Sequence, residues 1–226
     1  MLLEVTRPVQ GGLRQEKKLE VVSNHMANAD TPGFKRDVVS FDKEFKARMN
    51  TDLSQGPLRK TGNQLDVALN DEGFFKVDTD AGIRYTRNGN FTRDSNGILV
   101  DQNGNPVLGQ GGAMVIEGKD INIDEQGRIF VDGDYVDALD VVTFEDLTRV
   151  RKEGANNFVY EGNTRDEIAP AQVSVEQGAL EGSGVKVVEE MVRMIDHHRM
   201  YETFSKSIST FDEVDSKAIN DVGQLR

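Results

Sequence analysis

VVEEMVRMIDHHRMYETFSKSISTFDEVDSKAINDVGQL, Val187 to Leu225, decides the architecture. Its apolar and aromatic residues recur at steps of three and four: Val187, Met191, Met194 with Ile195 beside it, Tyr201, Phe204, Ile208 and Phe211, resuming at Ala218, Val222 and Leu225. That spacing predicts one helix with a narrow apolar seam suited to a partner helix. A helix of ~35 residues is ~50 Å long, more than a compact domain of this size covers. A matching stripe near the start uses Leu2, Val5, Val9, Leu19, Val22 and Met26. Each seam therefore needs cover from the other and from neighbouring copies of the chain.

The first helix is expected over Leu13 to Asn28. Thr6 is a possible cap with Pro8 in the first turn, but Gly11-Gly12 weakens that stretch. Ala29-Asp30-Thr31-Pro32-Gly33 stops the helix. A polar connector follows to residue 65, where Phe41, Phe45 and Met49, spaced by four, allow a short helix. From Leu65 the apolar period switches to two. Phe74–Val77, Ile83–Arg87, Ile98–Val100, Pro106–Leu108, Met114–Ile116, Ile121–Ile123, Ile129–Val131, Leu139–Phe144 and Phe158–Tyr160 read as strands, several separated by Asn-Gly or Asp-Gly turns. The expectation is an α+β chain. A helical unit of residues 1–35 plus 183–226 pairs as a coiled coil, 36–65 connects, and 66–182 form an inserted, mainly antiparallel β domain.

Composition narrows the function. The 226 residues include no cysteine, which removes disulfides, thiolate metal sites and a thiol nucleophile. A net charge of −12 argues against nucleic acid as a partner. The charge is uneven: residues 1–60 hold 11 Lys+Arg against 8 Asp+Glu, and the rest of the chain holds 16 against 31. Such asymmetry suits contacts between copies, and equally an acidic solvated surface. No run of 18 apolar residues exists to insert in a membrane, and Glu4, Arg7, Arg14 and Glu16 interrupt any signal-peptide core.

Candidate chemical sites each meet a plainer reading. Asp101-Gln102-Asn103-Gly104-Asn105 has a calcium-loop look, but Pro106 stands where the loop needs Gly and Gly112 where it needs Glu. A hairpin turn explains it better, as it does Asp94-Ser95-Asn96-Gly97. His197 and His198 diverge by ~100° on a helix and cannot share a metal. His198 falls on the seam and His197 near its edge. His25 has no partner motif. Neither Gly182-Ser183-Gly184 nor Gly109-Gln110-Gly111-Gly112 completes a nucleophile elbow or a phosphate loop. No catalytic, cofactor or metal residue is assigned, and the chain is not expected to be an enzyme.

Three blocks carry a resemblance: SNHMANADTPGFKRD (Ser23–Asp37), TGNQLDVALNDEGFFKV (Thr61–Val77) with its continuation to Gly109, and QGALEGSGVKVVEEMVRMIDHHRMYE (Gln177–Glu202). In this order they resemble the bacterial flagellar basal-body rod and hook protein family over nearly the whole chain. The proximal-rod members are most similar and the distal-rod members next. His25 and Met26 depart from the family's usual Asn and Leu, and Gly184, Lys186, His198 and Met200 also depart. The resemblance implies a structural subunit of the rod, polymerising helically into the shaft that passes motor torque to the hook. It also implies terminal helices lining a tube, and location in the basal body across the periplasm. Export would run through the flagellar type III apparatus without a cleaved signal peptide. The partners implied are copies of the chain and neighbouring axial proteins. The assembly residues expected are Leu19, Val22, Met26, Asn28, Thr31, Gly33, Phe34, Val187, Met191, Met194, Ile195, His198, Tyr201, Phe204, Ile208 and Phe211. The alternatives are a distal-rod or hook-type axial subunit, and a secreted β binding module on a helical oligomerisation stalk.

Overall fold

The computed structural model describes residues 2–42, 46–154 and 156–223, apart from the side chains of residues 2–5, 164, 218, 219 and 221–223. It is an α+β chain of two compact units. One comprises Met1–Ala27, Asp37–Asn50 and Lys186–Arg226, and the other Asn28–Arg36 and Thr51–Val185.

The first unit is built on two helices, α1 (Leu2–Ala27) and α2 (Val187–Gly223). Helix α1 begins eleven residues before the expected Leu13 and runs through both Pro8 and Gly11-Gly12. Proline and glycine each disfavour a helix interior, so packing must outweigh local preference here. In place of the short helix that the spacing of Phe41, Phe45 and Met49 allows, strands Asp37–Phe41 and Ala47–Thr51 pair as a hairpin. The β-branched pair Val38-Val39 favours extension. Phe45 lies outside the described residues. The Arg14 guanidinium stands 5.2 Å over the Phe41 ring and so holds the hairpin to α1.

The second unit is antiparallel β. Its largest sheet orders the strands Val150–Gly154, Asn157–Tyr160, Gly82–Thr86, Phe74–Thr79, Val141–Phe144 and Glu167–Ile168. Alternation sends adjacent residues to opposite faces, and both faces are covered. Phe75, Val77 and Val141 join the main core with Phe91, Leu99, Val107, Ile116 and Ile129. Phe74, Tyr85, Val142 and Phe144 join a second core with Val150 and Phe158. In that second core Phe144 stacks on Tyr160 at 4.1 Å and meets Tyr85 edge-on at 4.9 Å. Ile121–Ile123, Arg128–Val131 and Asp134–Ala138 form a three-stranded sheet. The expected strand Met114–Ile116 is present as a short pairing: Val115 bridges Ile98, the Leu99 N–H donates to the Met114 carbonyl at 2.9 Å and the Ile116 N–H to the Gly97 carbonyl at 2.7 Å, while Met114 and Ile116 are buried in the core.

Three loops share one construction. Asp94, Asp101 and Asp124 each open a five-residue segment with Asn or Gln third and Gly fourth. In each, Oδ1 accepts the N–H groups of the third and fifth residues at 2.8–3.0 Å. The fourth residue takes φ of +81°, +85° or +77°, where only glycine is unstrained. These carboxylates are consumed by turn amides, as the hairpin reading of Asp94 and Asp101 expects.

A buried charge cluster ties distant segments of this unit. Lys35 and Glu181 are each 1% exposed and Arg87 is 5% exposed. The Lys35 ammonium donates to Glu181 Oε1 and, at 2.8 Å, to the Ser54 carbonyl. Gly56 N–H reaches the same Oε1 at 2.8 Å, and Arg87 Nη1 lies 3.6 Å from Oε2. Burial lowers the Lys35 and Arg87 pKa values, and Glu181 opposes that in both. Removing one charge strands the others. Glu181→Gln is expected to destabilise this unit by about 3–5 kcal/mol, read from chemical denaturation, whereas Lys60→Gln, with the Lys60 side chain 88% exposed, leaves stability unchanged. Equal midpoints for the two variants would refute the assignment.

A second ionic group predicts alkaline behaviour. Tyr85 Oη donates to Glu167 at 2.6 Å, and Lys76 Nζ lies 2.9 Å from Glu167 and 3.0 Å from Asp140. Burial, then the Glu167 contact, pushes the Tyr85 phenol above its usual value. For Lys76 burial lowers the pKa, but Glu167 and Asp140 together outweigh it and the net shift is upward. Both folded values exceed the unfolded ones, so their stabilisation is complete below about pH 10 and is lost as pH rises beyond it. Tyrosinate absorbance should show one of the four tyrosines ionising late, and Tyr85→Phe should flatten the stability loss above about pH 10. Four tyrosines titrating together in the folded protein would contradict this.

Candidate functional site

The helical unit is the site that the sequence singles out, and three points fix how its helices meet. At Gly11 an added Cβ would stand 2.5 Å from Cε1 of Phe204. The Lys18 ammonium is near enough to His197 to reinforce the pKa lowering that burial causes there. His25 Nδ1 lies 3.1 Å from Glu190 Oε2. Along α1 these residues advance by seven while along α2 they retreat by seven. The helices are therefore antiparallel, and the contact recurs once per two turns.

This geometry gives Gly11 a reason to be in a helix. A Gly in a helix interior costs about 1 kcal/mol relative to Ala. Here the missing side chain lets the Phe204 ring lie against the α1 backbone, and a Cβ added at Gly12 would stand 3.9 Å from the Phe204 Cβ. The glycine pair is a socket rather than a break.

The expected assembly residues separate by face. On α1, Val22 is buried and Leu19 and Met26 are half-buried. On α2 the side turned to α1 carries Glu190, Met194, His197, Phe204 and Ile208, at steps of four, three, seven and four. Val187, Met191, Ile195, Tyr201 and Phe211 are exposed. The two histidines exchange the places expected of them. His197 is the one half-buried against α1, while the side chain of His198 is 63% exposed beside Glu202 at 3.5 Å. The stripe members Leu2, Val5, Ala218, Val222 and Leu225 lie outside the described side chains.

Exposed apolar residues of α2 form a second line, of which the sequence reading named Met191 and Ile195 but not Val188 and Val192. Val188, Val192 and Ile195, at steps of four and three, are 76%, 54% and 53% exposed, with Met191 beside them at 47%. The step from Glu190 to Val192 is ~200° around a helix, so this line faces away from α1.

Asn28, Thr31, Gly33 and Phe34 belong to the β unit. Thr31 N–H closes a turn onto the Asn28 carbonyl at 3.2 Å. Gly33 has φ +69°, and a Cβ on it would stand 2.6 Å from the backbone at Arg87 and Asn88. Its N–H donates to the Glu181 carbonyl at 2.8 Å, and Gly184 N–H donates to the Phe34 carbonyl at 2.9 Å. Phe34 is buried under the Lys152 ammonium, 4.0 Å from its ring centre. The Thr31–Lys35 segment is thus a fitted insert in the β unit. Among the described residues no three His, Asp or Glu side chains gather to hold a metal ion, and no helix is long and apolar enough to cross a membrane. Sequence reasoning missed His25, Lys35, Arg87, Glu181 and Glu190, whose partners are remote in the chain. It could have found Gly11 by asking what an in-helix glycine leaves room for.

Comparison with known proteins gives this architecture its family. Residues 11–35 match the family described as "Flagella basal body rod protein", residues 68–133 the "Flagellar hook protein FlgE/F/G D1 domain", and residues 176–221 the "Flagellar basal body rod FlgEFG protein C-terminal". The chain is 34% identical to the flagellar basal-body rod protein FlgF of Caulobacter vibrioides, over 92% of this chain and 93% of that one. It is 32% identical to FlgF of Salmonella typhimurium, over 88% and 89%, and 27% identical to the rod protein FlgG of Bacillus subtilis, over 97% and 99%. With its terminal segments and its β unit all matched in order, the chain belongs to the flagellar basal-body rod protein family.

Proposed function

We propose that this rod subunit polymerises helically through its paired terminal helices, α1 and α2, into the shaft that passes torque from motor to hook. The β unit, Asn28–Arg36 with Thr51–Val185, is the inserted body. The observation that carries the reading is the uncovered line Val188, Val192 and Ile195 on α2, opposite the face that meets α1. Full burial of such a side chain is worth about 1.5–3 kcal/mol, and a neighbouring copy laid along this line recovers the part still exposed, set against the cost of association. A contact between two different faces of like subunits does not close on itself, and repetition yields a filament. The inner line, with its recurrence at seven, supports an antiparallel coiled coil within each subunit. The outer line and its exposed neighbours Val187, Met191, Tyr201 and Phe211 make the contacts between subunits. Copies of the chain and adjoining axial proteins are the partners. The place of work is the basal body where it crosses the periplasm, reached through the flagellar type III apparatus without a cleaved signal. Nucleic acid and membrane insertion play no part.

Two measurements follow. Val192→Glu or Ile195→Glu puts a charge in the outer line without touching α1. Each should abolish rod assembly and swimming in a strain lacking the natural subunit, while circular dichroism of the purified chain stays unchanged. Normal swimming with either variant would sink the reading.

The inner line is tested by Gly11→Ala. Helix propensity alone favours alanine by about 1 kcal/mol, but overpacking against Phe204 costs about 1–3 kcal/mol. The expected outcome is a net loss of thermal stability, recovered on adding Phe204→Leu. A stabilised Gly11→Ala that is additive with Phe204→Leu would show that the socket does not exist.

A further inference from the structure

Gly11 and Lys18 mark the side of α1 that meets α2, and the residues two places either side of each stand ~160–200° round the helix from it. On that outer side Val9 and Leu13 are 39% and 59% exposed, and Glu16 and Glu20 are exposed after them. Glu20 is bridged by Lys17 at 2.8 Å, whereas Glu16 makes no ion pair among the described residues. The outer side of α2, past Ile195, carries Arg199, Lys206 and then Val214, which is 57% exposed. Arg199 and Lys206 are exposed and likewise make no ion pair among the described residues. The hydroxyls of Thr203 and Thr210 donate one turn back, to the Arg199 and Lys206 carbonyls, at 2.9 Å each. Covering this stretch therefore strands neither hydroxyl.

We propose that this outer face of α1 docks, antiparallel, on the second half of α2 of a second copy. The inference rests on the polymerisation reading and supplies the other face that a contact between copies needs. Charge selects the alignment. Along α1 the order is Val9, Leu13, Glu16, Glu20; run the other way, α2 offers Val214, Thr210, Lys206 and Thr203 with Arg199 at closely matching spacing. Val9 then meets Val214, Leu13 meets Thr210, Glu16 meets Lys206, and Glu20 lies nearest Arg199. Seating Val9 and Leu13 on Ile195 and Val192 instead brings Glu16 onto Val188 beside Glu189, whose carboxylate already holds Lys186 at 3.1 Å. That match covers more apolar surface but desolvates a carboxylate with no cation to meet it. Within the chain Gly11 lies against Phe204, so the docked copy is displaced by about two turns, ~11 Å, along the pair. The two faces lie on opposite sides of the helix pair. Each copy thus offers α1 to one neighbour and α2 to another, and the series stays open. Val188 and Val192 lie beyond the end of the docked α1 and stay available to a further neighbour.

The chain has no cysteine, so Leu13→Cys with Thr210→Cys introduces its only two thiols. Within one chain these positions face opposite ways, and a disulfide between them must join two copies. Oxidised basal bodies from a strain carrying the pair should give bands of two or more chain masses on a denaturing gel, and each single variant should stay at one. The charges are tested apart from the thiols. Glu16→Lys and Lys206→Glu should each cut the swimming fraction at least tenfold, and the two together should restore it. A lysine-directed crosslinker of long reach joins neighbouring copies in any alignment and so separates this contact from polymerisation itself. Multimers with that reagent but none through the cysteine pair, in cells that swim, overturn the contact and keep the polymerisation reading. That pattern is also the one expected if a different axial protein covers the face. No multimers of the parent chain with either reagent overturn both readings. Should the cysteine pair fail to assemble, the charge exchange decides: a double variant no better than the single ones overturns the proposal.

Discussion

Glu181 carries the one negative charge that two buried cations share, and the β unit is organised around that necessity. A carboxylate at 1% exposure is expensive to desolvate, and so are the ammonium of Lys35 and the guanidinium of Arg87. Together they become tolerable, but only if three stretches far apart in sequence arrive at one point. Lys35 comes from the segment after α1, Arg87 from the strand end before Asn88-Gly89, and Glu181 from the strand before α2. The glycine at 33 is part of the same requirement, since its N–H bonds the Glu181 carbonyl while its bare Cα lies against the Arg87 backbone. A hydrophobic cluster would hold these segments as firmly.

The helical unit solves the same problem with different means. Its seam is apolar enough to associate but is interrupted at intervals of seven by Gly11 facing Phe204, Lys18 near His197, and His25 bonded to Glu190. Sliding the helices by one turn would put a ring against a filled backbone and leave a carboxylate and an imidazole buried without partners. The polar pair and the glycine socket thus select one alignment out of several that hydrophobic burial alone would permit, at some cost in stability.

How far the sequence can be read follows from the range of each signal. Periodic features are legible: the α2 seam, the strand alternation from Phe74 to Phe144, and the Asp-x-Asn-Gly turns, all of which are decided within a few residues. The start of α1 is not, because local propensity at Pro8 and Gly11-Gly12 points the other way, and only Phe204, 193 positions along from Gly11, overrides it. The hairpin at Asp37–Thr51 escapes because a spacing of four among Phe41, Phe45 and Met49 fits a helix as well as it fits nothing in particular. His25, Lys35, Glu181 and Glu190 carry no local signature as partners, since a charge becomes informative only when its counter-charge is known. The seam itself reads as one line where the protein has two, because residues at 100° steps on a helix blur when a sequence is scanned for threes and fours.

That second line gives the first turns of α2 apolar residues on the side away from α1 as well as towards it. A helix serving only its partner in the chain needs one stripe and can leave the rest polar. Val188, Val192 and Ile195 occupy the far side among Glu189, Asp196 and Arg199, so the outer face sets apolar residues beside charges of both signs. Such a face stays soluble as a monomer and becomes adhesive only when a complementary neighbour pairs its charges while covering its valines. The inner line, with its buried polar pegs, is built for one permanent alignment. Under the proposed assembly, the outer line, without any, would leave its alignment to be set by the neighbouring subunit.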